Sequence, residues 1–524
     1  METKNIKIFS LAMAMAIVVL GTVSCSKLDD QTYGTISAAT DEEAAKIIPP
    51  AAYLQGAYDA LNSWDNQGGV YAMMEHPTDE MMGPTRGTDW DDGGVWRQLH
   101  LHTWTPTHGE VNAAWDRLNT GQFRATQAIA FAGDNVQVKA EASFLKAWFM
   151  FYILDLYGQV PSRELTDPLD ANPKVLTRTQ AVDQCIADLT FAEANLTANT
   201  GADKVTKEAV QALLAKIYLN KAVYSSATPG GPLNFAKADM DKVVEFSNKV
   251  ISSGKFSLQP IGKYFESFSW NNTGSSELIF SVKNVPGDVR ASPRFTWRMG
   301  THYNQVTNGW NGFTTLADFY DSFEPADSRL GGAMPGLTDV TGLRTGFLIG
   351  QQFDGAGKPL QGRSAPMVFT RNVSLTASDD LLGIRVIKYA PKPDGTGNVK
   401  DTDERQTDND MVFLRYADVL LMKAEAILRG GSDPQGQSAL QIVNNLRTTR
   451  GASTLATVNN SSMLAERGRE LYYEGWRRQD QIRFGTFNDP VDQRSAKTEN
   501  TKSIFPIPQK AIDTNPNLKQ NAGY

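Results

Sequence analysis

Apolar residues recur through the N-terminal half at the spacing of amphipathic helices. Leu54, Tyr58 and Leu61 do so after Pro49-Pro50, and Val111, Trp115 and Leu118 do so again. The strongest run is Val138–Tyr157. Leu145, Trp148, Phe149, Tyr152 and Leu156 fall on one face there, and Gly158 with Pro161 stops the helix. Thr177 and Gln180 have the spacing of a capping box, ahead of Val182, Cys185, Ile186, Leu189 and Ala192. Thr206 caps a helix whose inner face is Val210, Leu213, Leu214, Ile217 and Tyr218. Val243, Val244, Phe246, Val250 and Ile251 mark another, ending near Gly254. Helices return at Met411–Leu428, closed by Gly430-Gly431. Asp433 is then read as a cap with Pro434 in the first turn, and Leu440, Val443 and Leu446 face inward as far as Gly451. A final helix is read over Met463–Arg478.

These segments come as pairs joined by short polar links. Paired helices at a period of about 34 build tetratricopeptide-type solenoids; an ordinary helical bundle gives similar stripes. Between Phe256 and Asp410 the pattern changes. Glycine, asparagine, proline and aromatic residues increase, and β-like runs appear at Glu277–Val282 and Ile384–Tyr389. The prediction is a mainly α fold: a tetratricopeptide-like array of about four helix pairs with a loop-rich insertion carrying short strands. Its regions are 41–255, the insertion 256–410, and 411–524.

The first residues read as an address. Lys4 and Lys7 precede an apolar run from Ile8 to Leu20, shorter than the roughly 20 residues a spanning helix needs, so 1–24 suits a signal peptide. Gly21-Thr22-Val23-Ser24-Cys25 resembles a bacterial lipobox, with Thr22 where leucine is usual. Cys25 is the expected lipid-attachment residue, and 25–40 reads as a flexible tether. The chain is then expected to be anchored to a membrane rather than to cross it.

Composition narrows the function. Two cysteines, Cys25 and Cys185, exclude a disulfide-stapled scaffold and a Cys₂ or Cys₄ zinc module. Cys185 sits on an apolar stripe and reads as a core thiol. A net charge of −7 argues against nucleic acid as a partner. Ten tryptophans, 16 tyrosines and 24 phenylalanines are a large aromatic load for such a chain.

Several stretches together resemble the RagB/SusD family of bacterial outer-membrane nutrient-binding lipoproteins. They are Glu141-Ala142 to Leu145 with Asp155-Leu156-Tyr157-Gly158, Phe413-Leu414-Arg415-Tyr416-Ala417-Asp418 with Ala424-Glu425-Ala426, and Glu466-Arg467-Gly468-Arg469-Glu470-Leu471 with Tyr473-Glu474-Gly475-Trp476-Arg477-Arg478-Gln479-Asp480. Ser503-Ile504-Phe505-Pro506-Ile507-Pro508 and the ending Asn515–Tyr524 complete the set. The resemblance implies a non-catalytic surface lipoprotein with no cofactor. It would capture an oligosaccharide, or in some members a peptide, and pass it to a SusC-like TonB-dependent outer-membrane transporter. Arg415, Glu425, Arg467, Glu470, Glu474, Arg477 and Asp480 read as ion pairs that lock helix to helix, in agreement with motifs that hold a scaffold.

A sugar has apolar C–H faces and hydroxyl edges, so a surface that binds it needs exposed aromatic platforms flanked by polar groups. Tryptophan away from a helical stripe is the signal. One loop cluster, 79–104, contains Arg86, Asp89, Trp90, Trp96 and Trp104. A second, 295–313, contains Trp297, Arg298, Tyr303, Asn304, Trp310 and Phe313. Trp270 beside Asn271-Asn272 is a third candidate. Trp115, Trp148 and Trp476 lie on helical stripes and read as core. A rival reading, a secreted glycoside hydrolase, would draw its acid and base from Asp79, Glu80, Asp89 and Glu110. A third makes the protein a structural lid with no ligand affinity of its own. His100-x-His102 with His108 and Glu110 invites a metal, but no second-shell partner is visible and a structural histidine pair is preferred. Asp401, Asp403, Asp408 and Asp410 suggest a calcium ladder but lack the turn glycine and closing glutamate, so a solvated loop is preferred.

Overall fold

The computed structural model describes residues 48–64, 67–168, 170–197, 199–284, 295–306, 308–394 and 409–524. The expected signal peptide, Cys25, the tether, and Asp401, Asp403 and Asp408 lie outside them. Residues Pro50–Tyr524 form one compact unit.

Helices Gly109–Ala130, Val136–Tyr157, Arg178–Asn195, Lys207–Ser225 and Lys237–Ser252 stack in chain order, each against the next. The array then jumps the insertion: Lys237–Ser252 packs on Tyr416–Leu428, which carries Ala439–Thr449 and Asn460–Leu471. The insertion thus leaves the array between two helices that remain neighbours in space. The expected caps are in place at the start of two helices. Thr177 and Gln180 complete a reciprocal capping box, and the Thr206 hydroxyl accepts the Ala209 N–H.

Val136–Tyr157 is buried on every side rather than along one stripe, including Glu141, Lys146 and Asp155. The Tyr58 and Tyr224 hydroxyls bond Glu141 and Asp155 at 2.5 and 2.9 Å, which makes those burials tolerable. Gly121 lets the preceding helix approach closely: a Cβ there would meet the Phe149 ring at 2.3 Å.

Three sequence expectations change. Met411–Arg415 is a strand, not the start of a helix; all five residues are buried, and it pairs antiparallel with Leu278–Val282. Burial on both sides removes the periodicity that would have told strand from helix. Asp433 caps no helix; its carboxylate accepts the Gln435 and Gln437 N–H groups in a turn, and Ser438 with Gln441 caps Ala439–Thr449 instead. The last helix breaks in two, Asn460–Leu471 and Arg477–Phe484, around Tyr473 at φ +59° and Gly475 at φ +79°.

The insertion holds small sheets. Gly331–Gly332, Thr345–Leu348 and Arg385–Ile387 form one, and Gly350–Gln351 with Val368–Phe369 another. They cover a minor core of Trp297, Leu337, Leu343, Leu348, Met367, Phe369 and Ile387. Among the described residues no helix is long and apolar enough to cross a membrane.

The charged motif residues do pair across elements. The Glu470 carboxylate receives Arg415 and Arg450 at 2.7 Å and Arg329 at 3.0 Å. Arg467 reaches Asp418 and Asp480, Arg483 reaches Glu425 and Asp480, and Arg477 reaches Asp79. Burial opposes charge on Glu470, but the guanidinium groups of Arg450, Arg415 and Arg329 hold its pKa well below the usual carboxylate range.

Candidate ligand-binding surface

The two loop clusters, about 190 residues apart in sequence, meet. Met82 and Thr314 exchange backbone hydrogen bonds at 2.8 and 2.9 Å. Arg86 then fastens three segments together: its Nε donates to the Gly312 carbonyl at 3.0 Å and its Nη1 to Asp379 and Leu382 carbonyls at 2.7 and 2.8 Å. Burial lowers its pKa to about 10, so it stays charged at neutral pH. Arg86 therefore builds the face rather than standing on it.

Trp90 lies at the junction, partly exposed. Its indole N–H donates to the Trp310 carbonyl at 2.9 Å, and its ring packs against Gly312, where a Cβ would come within 2.4 Å of it. Phe313 is buried beneath, with ring centroids 4.9 Å from Trp90, 5.0 Å from Trp96 and 4.4 Å from His76. Trp96 is also buried, its indole N–H on the Asp92 carboxylate at 2.6 Å. Trp310, partly buried, sits above with the buried Arg298 guanidinium 6.0 Å from its ring centre. Three of the non-glycine residues with positive φ cluster here, Trp90 (+61°), Asp92 (+40°) and Asn311 (+52°). Strain of this kind persists where surrounding structure over-determines it; Asn311, for example, is held by Arg385 and the Asp380 carbonyl.

A polar rim adjoins the tryptophans. The Tyr303 hydroxyl donates to Asp89 at 2.9 Å, and that contact together with burial raises its pKa, burial being the larger cause. Arg363 lies over the Tyr303 ring at 4.4 Å and 3.5 Å from Asp89. The exposed Asn304 donates to the Gln361 carbonyl. Arg363 was not singled out by the sequence: a lone arginine in a glycine-rich loop gives no pattern. Beside the face opens a groove of about 740 Å³. Asp92, Trp96, Gln98, Thr103, Thr105 and Glu110 line it.

The other candidates go elsewhere. Trp104 and Trp297 are core, at 1% and 0% exposure. Trp104 donates to the Tyr524 hydroxyl at 2.6 Å and packs on Phe505, so it closes the C-terminus onto the array. Trp297 fills the minor core of the insertion. Both lie in segments without a helical stripe, yet loop-bearing lobes need cores of their own. Trp270 is partly buried against that same core. The histidines are structural. His100 ends the helix Val95–His100, so the alternation expected for a strand is absent. Its Nε2 lies 2.9 Å from the Asp492 carbonyl; His102 meets Thr498 and the Pro77 carbonyl; His108 caps the next helix. Burial lowers the His100 pKa to about 4.

The four carboxylates of the hydrolase reading each hold a structural partner. Asp79 pairs with Arg477 at 2.7 Å, Glu80 accepts the Tyr473 N–H at 3.1 Å, Asp89 accepts Tyr303, and Glu110 accepts the Gly69 N–H. Glu75 and Glu80 are buried near each other; burial raises both, Glu75 to about 7. They accept the Gly475 and Tyr473 N–H groups and so fix the break before the last motif helix. Asp410 of the calcium reading is buried, accepts the Asn284 N–H at 3.1 Å, and has its pKa raised to about 6, chiefly by burial.

The helical array with its loop lobe has the fold of solved SusD superfamily structures. The chain resembles the SusD family over two separate stretches. The model described as SusD family matches residues 383–524, and one described as starch-binding, associating with the outer membrane, matches 107–219. The chain is 26% identical to the starch-binding protein SusD of Bacteroides thetaiotaomicron, over 100% of both chains. Its fold matches a SusD superfamily protein from Parabacteroides distasonis at TM-score 0.69, with 20% identity, over 93% of this chain and 100% of that one. A laminarin-binding SusD-like protein aligns at TM-score 0.65, with 20% identity, over 91% of this chain and 99% of that one.

Proposed function

We propose that this protein is a lipid-anchored glycan-binding protein of the outer-membrane surface. It captures an oligosaccharide and hands it to a SusC-like TonB-dependent transporter, without cleaving it. The observation that carries the reading is the convergence of Trp90, Trp310, Tyr303 and Asn304 at one face with Asp89 and Arg363 on its rim. Aromatic rings offer platforms to sugar C–H faces, and the planar polar groups are matched to hydroxyl edges. The threonine-rich groove beside Trp96 extends the surface for a chain longer than one sugar. Trp104 and Trp297 take no part in this contact, and Arg86, Trp96, Arg298 and Phe313 act as its support. The relatives' names, starch-binding and laminarin-binding, point to glucans as first ligands to try.

The test is binding of purified protein to immobilised starch and laminarin, with reducing ends assayed in parallel. Trp310→Ala and Trp90→Ala are expected to weaken retention at least about tenfold, the effect of removing a stacking anchor, with thermal unfolding little changed. Release of reducing ends would overturn the non-catalytic part. Unchanged retention in both variants would overturn the face. Cys25→Ser is expected to free the protein from the outer membrane, and gentle extraction of the wild type to bring a large β-barrel with it.

A further inference from the structure

A second cavity lies in the insertion and shares no lining residue with the tryptophan face. It has a volume of about 240 Å³. That is below the roughly 300–1,000 Å³ of pockets for drug-sized ligands, so its occupant is of single-ring size. One wall is the strand Gly331–Gly332. A Cβ on Gly332 would find only the Arg344 guanidinium, 3.6 Å away, so bare backbone and that cation border the space together. Tyr320 and Phe347 meet edge-on at its side, ring centroids 5.5 Å apart, and Phe353 stands 44% exposed at its edge.

Three features specify a ligand. Arg344 is exposed and makes no ion pair or hydrogen bond with a described residue, whereas Arg329, Arg363, Arg371 and Arg385 of the same lobe are all engaged. No carboxylate lines the cavity. Gln351 and Gln352 also line it; both spend their amide N–H groups on backbone carbonyls, and neither amide oxygen accepts a bond from a described residue. An unpaired guanidinium suits a carboxylate, which it can bind through two parallel bonds. Amide oxygens accept from hydroxyls. An aromatic face suits the C–H face of a sugar ring.

We propose that this cavity is a second carbohydrate site that takes a single uronic acid ring, its carboxylate on Arg344, its hydroxyls on Gln351 and Gln352, and its apolar face against Phe353 and Tyr320. It would let the protein hold an acidic sugar independently of the tryptophan face.

The experiment titrates the purified protein with D-glucuronate, and with methyl glucoside as the uncharged control, by calorimetry or NMR. Saturable glucuronate binding is expected, at least about tenfold tighter than methyl glucoside. Arg344→Gln should weaken it about tenfold or more, the loss of a charge-assisted pair, and Arg344→Lys should restore part of it. Phe353→Ala, at an exposed position, should weaken it while leaving the unfolding temperature unchanged. Trp310→Ala should leave it intact, which separates this site from the proposed glycan face. The proposal is overturned if the wild type shows no saturable glucuronate binding, if methyl glucoside binds as tightly, if Arg344→Gln or Phe353→Ala binds like wild type, or if Trp310→Ala abolishes it.

Discussion

Trp90 holds a left-handed backbone conformation that a bulky side chain enters only under compulsion. Its indole bond to the Trp310 carbonyl and the bare Gly312 beneath it supply that compulsion. Gly312→Ala would put a methyl group where the Trp90 ring lies, and the ring must lift. The expected outcome is a several-fold loss of glycan retention with a modest fall in unfolding temperature, read by affinity electrophoresis beside thermal melts. Trp297 makes the opposite prediction. Wholly buried in the insertion's minor core, its truncation to alanine should cost about 3–5 kcal/mol. Denaturant unfolding measures that, and protein that does fold should still bind glycan. The sequence placed both tryptophans in loops and could not separate them. Exposure depends on which residues pack over a loop, and nothing in local spacing encodes that. Arg363 was invisible for the same reason: its role comes from lying over Tyr303, a neighbour 60 positions away only in sequence.

Among the elements, the buried helix Val136–Tyr157 sets the geometry of the array, because neighbours approach it from all sides. Gly121 on the adjoining helix has no room for a side chain against Phe149. Gly121→Ala gains helix propensity of about 1 kcal/mol, yet overpacking against a stiff ring costs typically 1–3 kcal/mol. Net destabilisation is the expected sign, measurable as a lower denaturant midpoint with unchanged slope; a rise would mean that the two helices slide apart freely. Helices with a side-chain cap and a regular apolar stripe, such as Arg178–Asn195 and Lys207–Ser225, were legible from spacing and capping residues. Short elements buried on both faces were not. Met411–Arg415 has the apolar run of either a helix or a strand, and only its pairing with Leu278–Val282 decides. The break at Tyr473–Gly475 was hidden too, since the continuous run of charges on either side looks helical until Glu75 and Glu80 are seen holding the two N–H groups from another part of the chain.

Across the whole molecule, the network around Glu466, Glu470 and Glu425 ties the strand Met411–Arg415, the last motif helices and the insertion into one body. Burial opposes charge on Glu466 and Glu425, but surrounding guanidinium groups, led by Arg329 for the first and Arg483 for the second, hold both near pKa 2. A carboxylate depressed in the folded state stabilises it above the unfolded pKa, and that contribution is lost as pH falls toward the folded value. From an unfolded value near 4.3, each such group carries roughly 3 kcal/mol at neutral pH, to order of magnitude. Glu75 has the opposite sign. Its pKa, raised to about 7 by burial, makes its contribution greatest below the unfolded value and lost as pH climbs toward 7. The two effects together place maximal stability between about pH 4.5 and 6, a little on the acid side of neutral. Urea unfolding across pH 2–9 should show a steep acid limb and a shallower fall toward pH 8. Glu75→Gln should flatten the second limb and spare the first, because an amide cannot ionise and still offers an oxygen to the Gly475 N–H. Arg415→Met, by contrast, strands buried carboxylates and should lower stability by about 3–5 kcal/mol near neutral pH. That loss should shrink as pH falls and Glu470, no longer held charged by Arg415, becomes able to neutralise itself by protonation. A loss independent of pH would mean that Arg415 acts through packing alone.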